Sequence, residues 1–352
     1  MGKIISGIQQ IGIGIPDVHA AWKWYRQHFG IDIPIFEEAA VANLMVPYTG
    51  GHPHNRHAIL AINIQGGGGF EIWQFTERTP QSPAFEVQVG DLGIYAAKIK
   101  CRDVQKAIQL FRAKNLEILS QTTPANSEES TFFVKDPYGN LFHLVTCSGW
   151  FKDNKSLTGG LAGCMIGVSD IEKSRKLYTD IGYDEVIYDR TGQFEDLTFL
   201  PGGKHQFRRV LLRHSQPRQG GFSRLLGPSE LELIQVLNRT AKKIYHNRFW
   251  GDLGFIHLCY DIVGMQELEQ ECQAKGFPFT VNSSQTFDMG EAAGHFAYIE
   301  DPDGTLIEFV ETHKIPILKK LGWYLNMRKR NPQKALPDWM LKTLEFNKVR
   351  DH

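Results

Sequence analysis

The sequence contains no long apolar run, no closely spaced cysteine pair and no excess of charge of either sign. None of its hydrophobic stretches approaches the roughly 20 residues of a transmembrane helix, and the amino terminus lacks the continuous apolar segment of a signal peptide. The five cysteines are scattered without a C-x-x-C spacing, which favours reduced thiols in a cytoplasmic protein over a disulfide framework. Lys plus Arg equals Asp plus Glu at 39 each, so no overall field favours nucleic acid or an acidic membrane as a partner.

An internal repeat is the most informative feature that is present. Two segments follow the same pattern of a short apolar strand, a turn suited to capping a helix, and an amphipathic helix that ends near glycine. They read IGIGIPDVHAAWKWYRQHFGID from Ile11 and CMIGVSDIEKSRKLYTDIGYDE from Cys164. Both are followed by further strand-like runs, which close on FEIWQF and LELIQV.

A second kind of unit also occurs twice, beginning at Asp91 and at Asp252. Its copies end on FVKDPYGNLFHLV and YIEDPDGTLIEFV, in which D-P-x-G predicts a tight turn into a final strand. The offset from Asp91 to Asp252 is 161 residues, the same as that from Glu71 to Glu232. This shared offset indicates duplication of a two-module domain.

We therefore predict an α+β protein of four βαβββ modules, at about residues 6–76, 91–147, 160–237 and 252–312. The first two would form a domain over residues 1–150 and the last two a domain over 160–313. The remaining tail, 314–352, carries ten Lys or Arg against three Asp or Glu. We expect it to pack on its own domain, rather than on nucleic acid or lipid, through four apolar side chains, Trp339, Leu341, Leu344 and Phe346.

The module pattern, with its D-P-x-G-x-x-x-E and E-L-I-Q endings, resembles the vicinal oxygen chelate superfamily over about residues 6–312. This resemblance implies that the modules pair into two curved mixed-sheet cups, each around a cavity for a small-molecule substrate. Four modules can satisfy that pairing within one chain, so both a monomer and a homodimer are allowed. In the superfamily, metal ligands come from the first and last strands of each paired module.

Carried over position by position, the resemblance implies an incomplete ligand set in each half of the chain. The second half offers Gly163, Glu232, His257 and Glu308, and the first half offers Gln10, Glu71, Ala96 and His143. We predict one divalent ion (Zn, Fe, Ni or Mn are not distinguished) at Glu232, His257 and Glu308. A second possible site comprises Gln10, Glu71 and His143.

An arginine can replace the ion in this scheme, because a buried carboxylate requires a cation of some kind. Arg208, Arg209 and Arg213 lie in the neighbouring strand-like run FRRVLLRH, and one of them can pair with Glu232. Arg209 is also the candidate for substrate binding.

His295 and Tyr298 are the candidates for catalytic groups, as acid, base or hydrogen-bond donor to the substrate. They lie an odd number of residues apart on one predicted strand, so only one can face the cavity. Tyr298 is preferred because Y-x-x-D-P-x-G-x-x-x-E resembles the closing half of the extradiol dioxygenase signature.

Three functions remain open on the sequence. The first is a glyoxalase- or epimerase-like lyase or isomerase, whose metal polarises vicinal oxygens of a small carbonyl substrate. The second is an extradiol-type ring-cleaving dioxygenase, which is weakened because Gly163 stands where that branch has a histidine. The third is a non-catalytic binding protein similar to the bleomycin-resistance proteins, since one ligand is missing from each half.

Overall fold

The computed structural model describes residues 2–122, 131–283, 287–288, 293–318 and 323–350. Four modules with the order βαβββ follow one another along the chain. The first module comprises β1 (Ile4–Gly14), α1 (Val18–Phe29), β2 (Ile33–Val41), β3 (Asn55–Ile62) and β4 (Gly69–Phe75). The second comprises β5 (Gly93–Cys101), α2 (Val104–Ala113), β6 (Ile118–Thr122), β7 (Thr131–Lys135) and β8 (Leu141–Thr146).

The third and fourth modules repeat this order with small additions. The third comprises β9 (Thr158–Gly167), α3 (Ile171–Asp180), β10 (Glu185–Gly192), β11 (Phe207–Arg213), the short helix α4 (Ser223–Leu226) and β12 (Glu230–Val236). The fourth comprises β13 (Gly254–Val263), α5 (Met265–Ala274), β14 (Val281–Asn282), β15 (Phe287–Asp288), β16 (Ala293–Glu300) and β17 (Leu306–Leu318). The tail adds β18 (Trp323–Asn326), α6 (Asp338–Lys342) and a 3-10 helix (Thr343–Asn347).

The predicted local signals are present at the helix ends and turns. The Asp17 carboxylate accepts hydrogen bonds from two backbone amides of α1, and Asp170 does the same for α3. Gly30 ends α1 in the left-handed region, at φ 60°. In each D-P-x-G turn the aspartate side chain accepts hydrogen bonds from two backbone amides. It also accepts one from the hydroxyl of a helix tyrosine, from Tyr25 to Asp136 at 2.6 Å and from Tyr178 to Asp301 at 3.0 Å.

The strands form two curved mixed sheets of the predicted α+β class. The first sheet has the order β14-β16-β17-β13-β1-β4-β3-β2, with β15 and β18 at its side, and the second has the order β10-β11-β12-β9-β5-β8-β7-β6. The main core contains buried side chains from both sheets and from the long helix of every module. The opposite face of each sheet forms the concave side of a cup.

The partners within each cup differ from the expected ones. The first cup joins module one to module four through the antiparallel pair β1–β13, and the second joins module two to module three through β5–β9. The expectation that each half of the chain closes its own cup was therefore wrong. A repeat shows which modules are equivalent, but the first strand of an odd module can pair with that of either even module. Where the chain divides into domains along its length stays a prediction.

The tail packs beside the first cup. Leu341 and Leu344 are buried as expected, together with Leu336, whereas Trp339 and Phe346 are 58% and 77% exposed. Two of the four predicted contacts were therefore wrong, because the short helices at residues 338–347 turn only one side toward the protein. Among the described residues, no helix combines the length and apolar character required to cross a bilayer.

Candidate metal centre

Four side chains converge on the concave face of the first cup. Gln10, Glu71, His257 and Glu308 come from the adjacent strands β1, β4, β13 and β17. The register explains their proximity, because Gly12 pairs with His257 on one side and with Glu71 on the other. A Cβ atom at Gly12 would lie 2.3 Å from Cε1 of His257, so glycine at this position makes room for the imidazole ring.

The donor atoms lie at distances that suit a shared cation. Nε2 of His257 is 3.0 Å from Oε2 of Glu308 and 3.4 Å from Oε2 of Glu71. Nε2 of Gln10 approaches the same Glu308 oxygen at 3.4 Å. Ligand atoms bound at about 2.1 Å to one ion lie about 3–3.5 Å apart when the geometry is tetrahedral. One atom from each of Glu71, His257 and Glu308 can therefore reach a common ion.

The electrostatics of the cluster also favour a cation. Burial, followed by the nearby Glu308, raises the pKa of Glu71 to about 7. Burial lowers the pKa of His257, but Glu308 and Glu71 outweigh it, so the net pKa is raised. Among the described atoms, Oε1 of Gln10 and Nδ1 of His257 have no hydrogen-bond partner, while Nε2 of His257 faces the two carboxylates. An unpartnered amide oxygen and an imidazole beside the carboxylates of Glu71 and Glu308 fit a divalent ion.

The two candidate catalytic side chains lie on opposite faces of β16. Tyr298 is buried in the cavity wall, and its ring meets that of His257 edge-on at 5.4 Å. Burial and then Glu308 raise the pKa of Tyr298 well above its usual value, so its hydroxyl stays protonated. His295 points away and bonds Oδ1 of Asn282 at 2.6 Å. The alternation of the strand thus places Tyr298 at the cluster and His295 outside it.

The cavity beside this cluster has a volume of about 350 Å³. On β3, β16 and β17 its lining residues alternate, as the two-residue period of a sheet predicts. They include Leu60 and Ile62 of β3 and Phe296 and Val310 of the fourth module. Most of its wall is apolar, as is usual for small-molecule sites.

The second cup holds a network of protein ion pairs in place of this cluster. Glu232 accepts hydrogen bonds from Arg209 and, at 2.8 Å, from Tyr188. Nζ of Lys98 lies 2.9 Å from Glu232 and 2.7 Å from Glu230. Arg209 and then Lys98 outweigh the opposing effect of burial and hold the pKa of Glu232 well below its usual range.

The predicted groupings were therefore wrong. Glu232 and His143 lie in the second cup, because module three pairs with module two. The other predicted ligands lie in the first cup: Gln10, Glu71, His257 and Glu308. His143 stacks on Phe133 at 4.1 Å, and burial lowers its pKa well below the usual value. Arg209, the candidate for substrate binding, is instead buried in ion pairs with Glu232 and Asp196. The alternative in which an arginine neutralises Glu232 describes this cup.

Lys98 was missed on the sequence, although a signal for it was present. It lies in the apolar run GIYAAKIKC, and a lysine inside a covered strand requires a buried anion. It occupies the repeat position of Cys259, which lies beside the donors of the first cup. A lysine at that position supplies the charge that an ion would otherwise supply.

Comparison with known proteins places this geometry in context. Residues 7–144 match the family described as "Glyoxalase/Bleomycin resistance protein/Dioxygenase superfamily". Glyoxalase I from Zea mays is 14% identical, with a TM-score of 0.52 over 88% of this chain and 92% of its own. A point mutant of that protein is 16% identical, with a TM-score of 0.53 and the same coverage.

A putative dioxygenase from Bacillus subtilis is 11% identical, with a TM-score of 0.56 over 100% of this chain and 99% of its own. No curated protein matches the sequence. At such identities the likeness to solved structures shows the fold and not the reaction.

Removing the Lys98 ammonium should strongly destabilise the protein. Lys98→Met leaves Glu230 and Glu232 short of a buried cation, and breaking a buried ion pair costs about 3–5 kcal/mol. The matched control is Lys106→Met, whose ion pair with Asp103 is exposed and whose effect should stay within about 0.5 kcal/mol. Chemical denaturation measures both free energies of unfolding. Equal values for the two variants would contradict the role given to Lys98.

Protein freed of metal ions should become less stable as the pH rises from about 4.5 to about 7. Glu71 binds its proton more tightly when folded, since its pKa rises from 4.5 to about 7, and the raised pKa of His257 acts in the same direction. Stability from such groups is present at low pH and is lost as the pH passes the folded pKa. Thermal melts should show a shallower fall for Glu71→Gln. An unchanged pH dependence in that variant would show that Glu71 does not cause the loss of stability.

Proposed function

Because residues 7–144 match the Glyoxalase/Bleomycin resistance protein/Dioxygenase superfamily, we propose that the first cup is the divalent-metal centre of a glyoxalase- or epimerase-like lyase or isomerase. The observation that carries this proposal is the convergence of one imidazole, two carboxylates and one amide at a single point of the cavity. The substrate would be a small carbonyl compound with vicinal oxygens.

The donor set suits several first-row ions. His257 would supply Nε2, Glu71 and Glu308 one carboxylate oxygen each, and Gln10 its unpartnered Oε1. Imidazole and carboxylate ligands accommodate Zn, Fe, Ni and Mn alike. A bound divalent ion would polarise a substrate carbonyl and so make the adjacent carbon more acidic.

The residues of the chain would then move the proton. Glu71 and Glu308 flank His257 and line the cavity, so either carboxylate can accept a proton from the substrate carbon and return it. Tyr298, which stays protonated, would donate a hydrogen bond to a substrate oxygen. The ring of Trp250 lies parallel to that of His257, with 6.2 Å between the ring centroids.

The donor set argues against the alternative reactions. Non-haem iron oxygenases use two histidines and one carboxylate, whereas the described residues supply one histidine to this cluster. A non-catalytic binder was attractive while each half lacked one ligand. In the folded chain the substituted ligand positions, Ala96 and Gly163, both belong to the second cup, which leaves the first with four donors.

The metal requirement is tested by the metal content of protein purified without a histidine tag. We expect about one divalent ion per chain, measured by inductively coupled plasma mass spectrometry. His257→Ala should abolish this content because it removes a central donor. His143→Ala, the matched buried histidine of the second cup, should retain it. Loss of metal from both variants, or from neither, would count against the first cup as the metal centre.

The reaction class is tested by proton exchange in deuterated water. Thiol adducts of 2-oxoaldehydes should exchange the proton beside the carbonyl in a metal-dependent way, as followed by NMR. Glu71→Gln should slow this exchange by about 10²–10⁴-fold, the typical contribution of a general base. His143→Ala should not. Oxygen uptake with catechols and no exchange would favour a dioxygenase, and inactivity in both assays would favour a binding protein.

A further inference from the structure

The cavity of the first cup is completed by chain segments that belong to neither of its two modules. We propose that residues 336–347 and the segment around α4 form a specificity wall that selects substrates carrying an apolar chain on the carbonyl frame. The substrate class rests on the proposed function, whereas the wall itself is a property of the cavity.

The polarity of the cavity changes along its length. On β3, Leu60 pairs with Glu71, and Ile62 lies two residues further on the same face, about 7 Å away. Ile62 also packs in one apolar cluster with Leu225 of α4 and Leu344 of the tail. The cavity of about 350 Å³ is lined both by the carboxylates and by this apolar cluster, which leaves room for a substituent of several carbon atoms.

The tail supplies part of that end. Leu344 and Asn347 line the cavity, while Leu336 and Leu341 anchor the segment in the same apolar cluster. Backbone hydrogen bonds hold the segment on both sides, from Leu336 to Gly221 at 2.8 Å and from Val349 to Asp32 at 2.9 Å. Three ion pairs add to them, Lys348–Asp32, Lys152–Glu345 and Arg224–Asp338. These contacts make the tail a fixed part of the wall.

Module three supplies the rest of the wall from the other cup. Phe222, Leu225 and Leu226 line the cavity, and the buried side chain of Lys100 binds the backbone at the end of this segment. Its Nζ donates to the carbonyl oxygens of Gly66 at 2.5 Å, Gly149 at 3.2 Å and Leu226 at 3.3 Å. This contact joins a turn of module one, the segment after β8, and α4. An apolar substituent would therefore meet side chains from both cups and from the tail.

The test measures how ligand affinity depends on chain length. Two probe series are titrated into the full-length protein by calorimetry: straight-chain 1-alkanols, which need no metal, and straight-chain alkyl hydroxamates, which offer two vicinal oxygens to a metal. For wild type we expect affinity to rise about fourfold per methylene, until the chain fills the cavity. Leu344→Ala should move this limit to a longer chain and Leu344→Trp to a shorter one.

The matched control is Phe346→Ala, which changes an exposed side chain of the same short helix and should keep the wild-type limit. Thermal melts confirm that all variants are folded. The proposed specificity wall would be contradicted if affinity stopped rising at the same chain length in the two Leu344 variants and the control. It would also be contradicted if the affinity of wild type did not depend on chain length. If the alkanol limits shift but the hydroxamates gain nothing from added metal, the wall stands and the proposed function fails. If metal strengthens the hydroxamates while the limits stay equal, the function stands without the wall.

Discussion

The antiparallel pairing of β1 with β13 is the contact on which the candidate site depends. It joins the first module to the fourth and aligns Gly12 with His257, so two donors from each module face one another. Each half of the chain carries only part of a ligand set, and neither part is sufficient by itself. The absence of a side chain at Gly12 is part of the same arrangement, since the imidazole ring occupies that space.

The two cups show two ways of compensating buried carboxylates on one scaffold. In the second cup, Lys98 and Arg209 reach Glu232 and Glu230 directly, and the charges are satisfied within the protein. In the first cup, Cys259 stands at the repeat position of Lys98, and Glu71 and Glu308 face a histidine. Burying carboxylates without enough positive charge is costly. The second cup supplies that charge from its own side chains, and the proposed metal ion would supply it in the first.

The pairing of module one with module four also determines which segments of the chain line the cavity. Modules two and three, which form the second cup, lie between modules one and four in the sequence. The segment after β8 and the helix α4 therefore lie against the first cup, where Lys100 binds their carbonyl groups. The tail follows module four and so reaches the same region. Substrate selection can therefore change through segments that lie far from the four donors in sequence, without altering the donors themselves.

The sequence by itself determined the modules, their order and the types of donor. The 161-residue offset, the aspartate caps and the D-P-x-G turns are local or periodic signals, which can be recognised without knowledge of the fold. Alternation along β16 likewise predicted that His295 and Tyr298 face opposite ways. Only the tertiary structure decided which modules pair, and hence that Glu308 meets Glu71 rather than Glu232. Strand pairing between distant modules depends on the packing of whole surfaces, and equivalent first strands offer the same backbone groups to either partner.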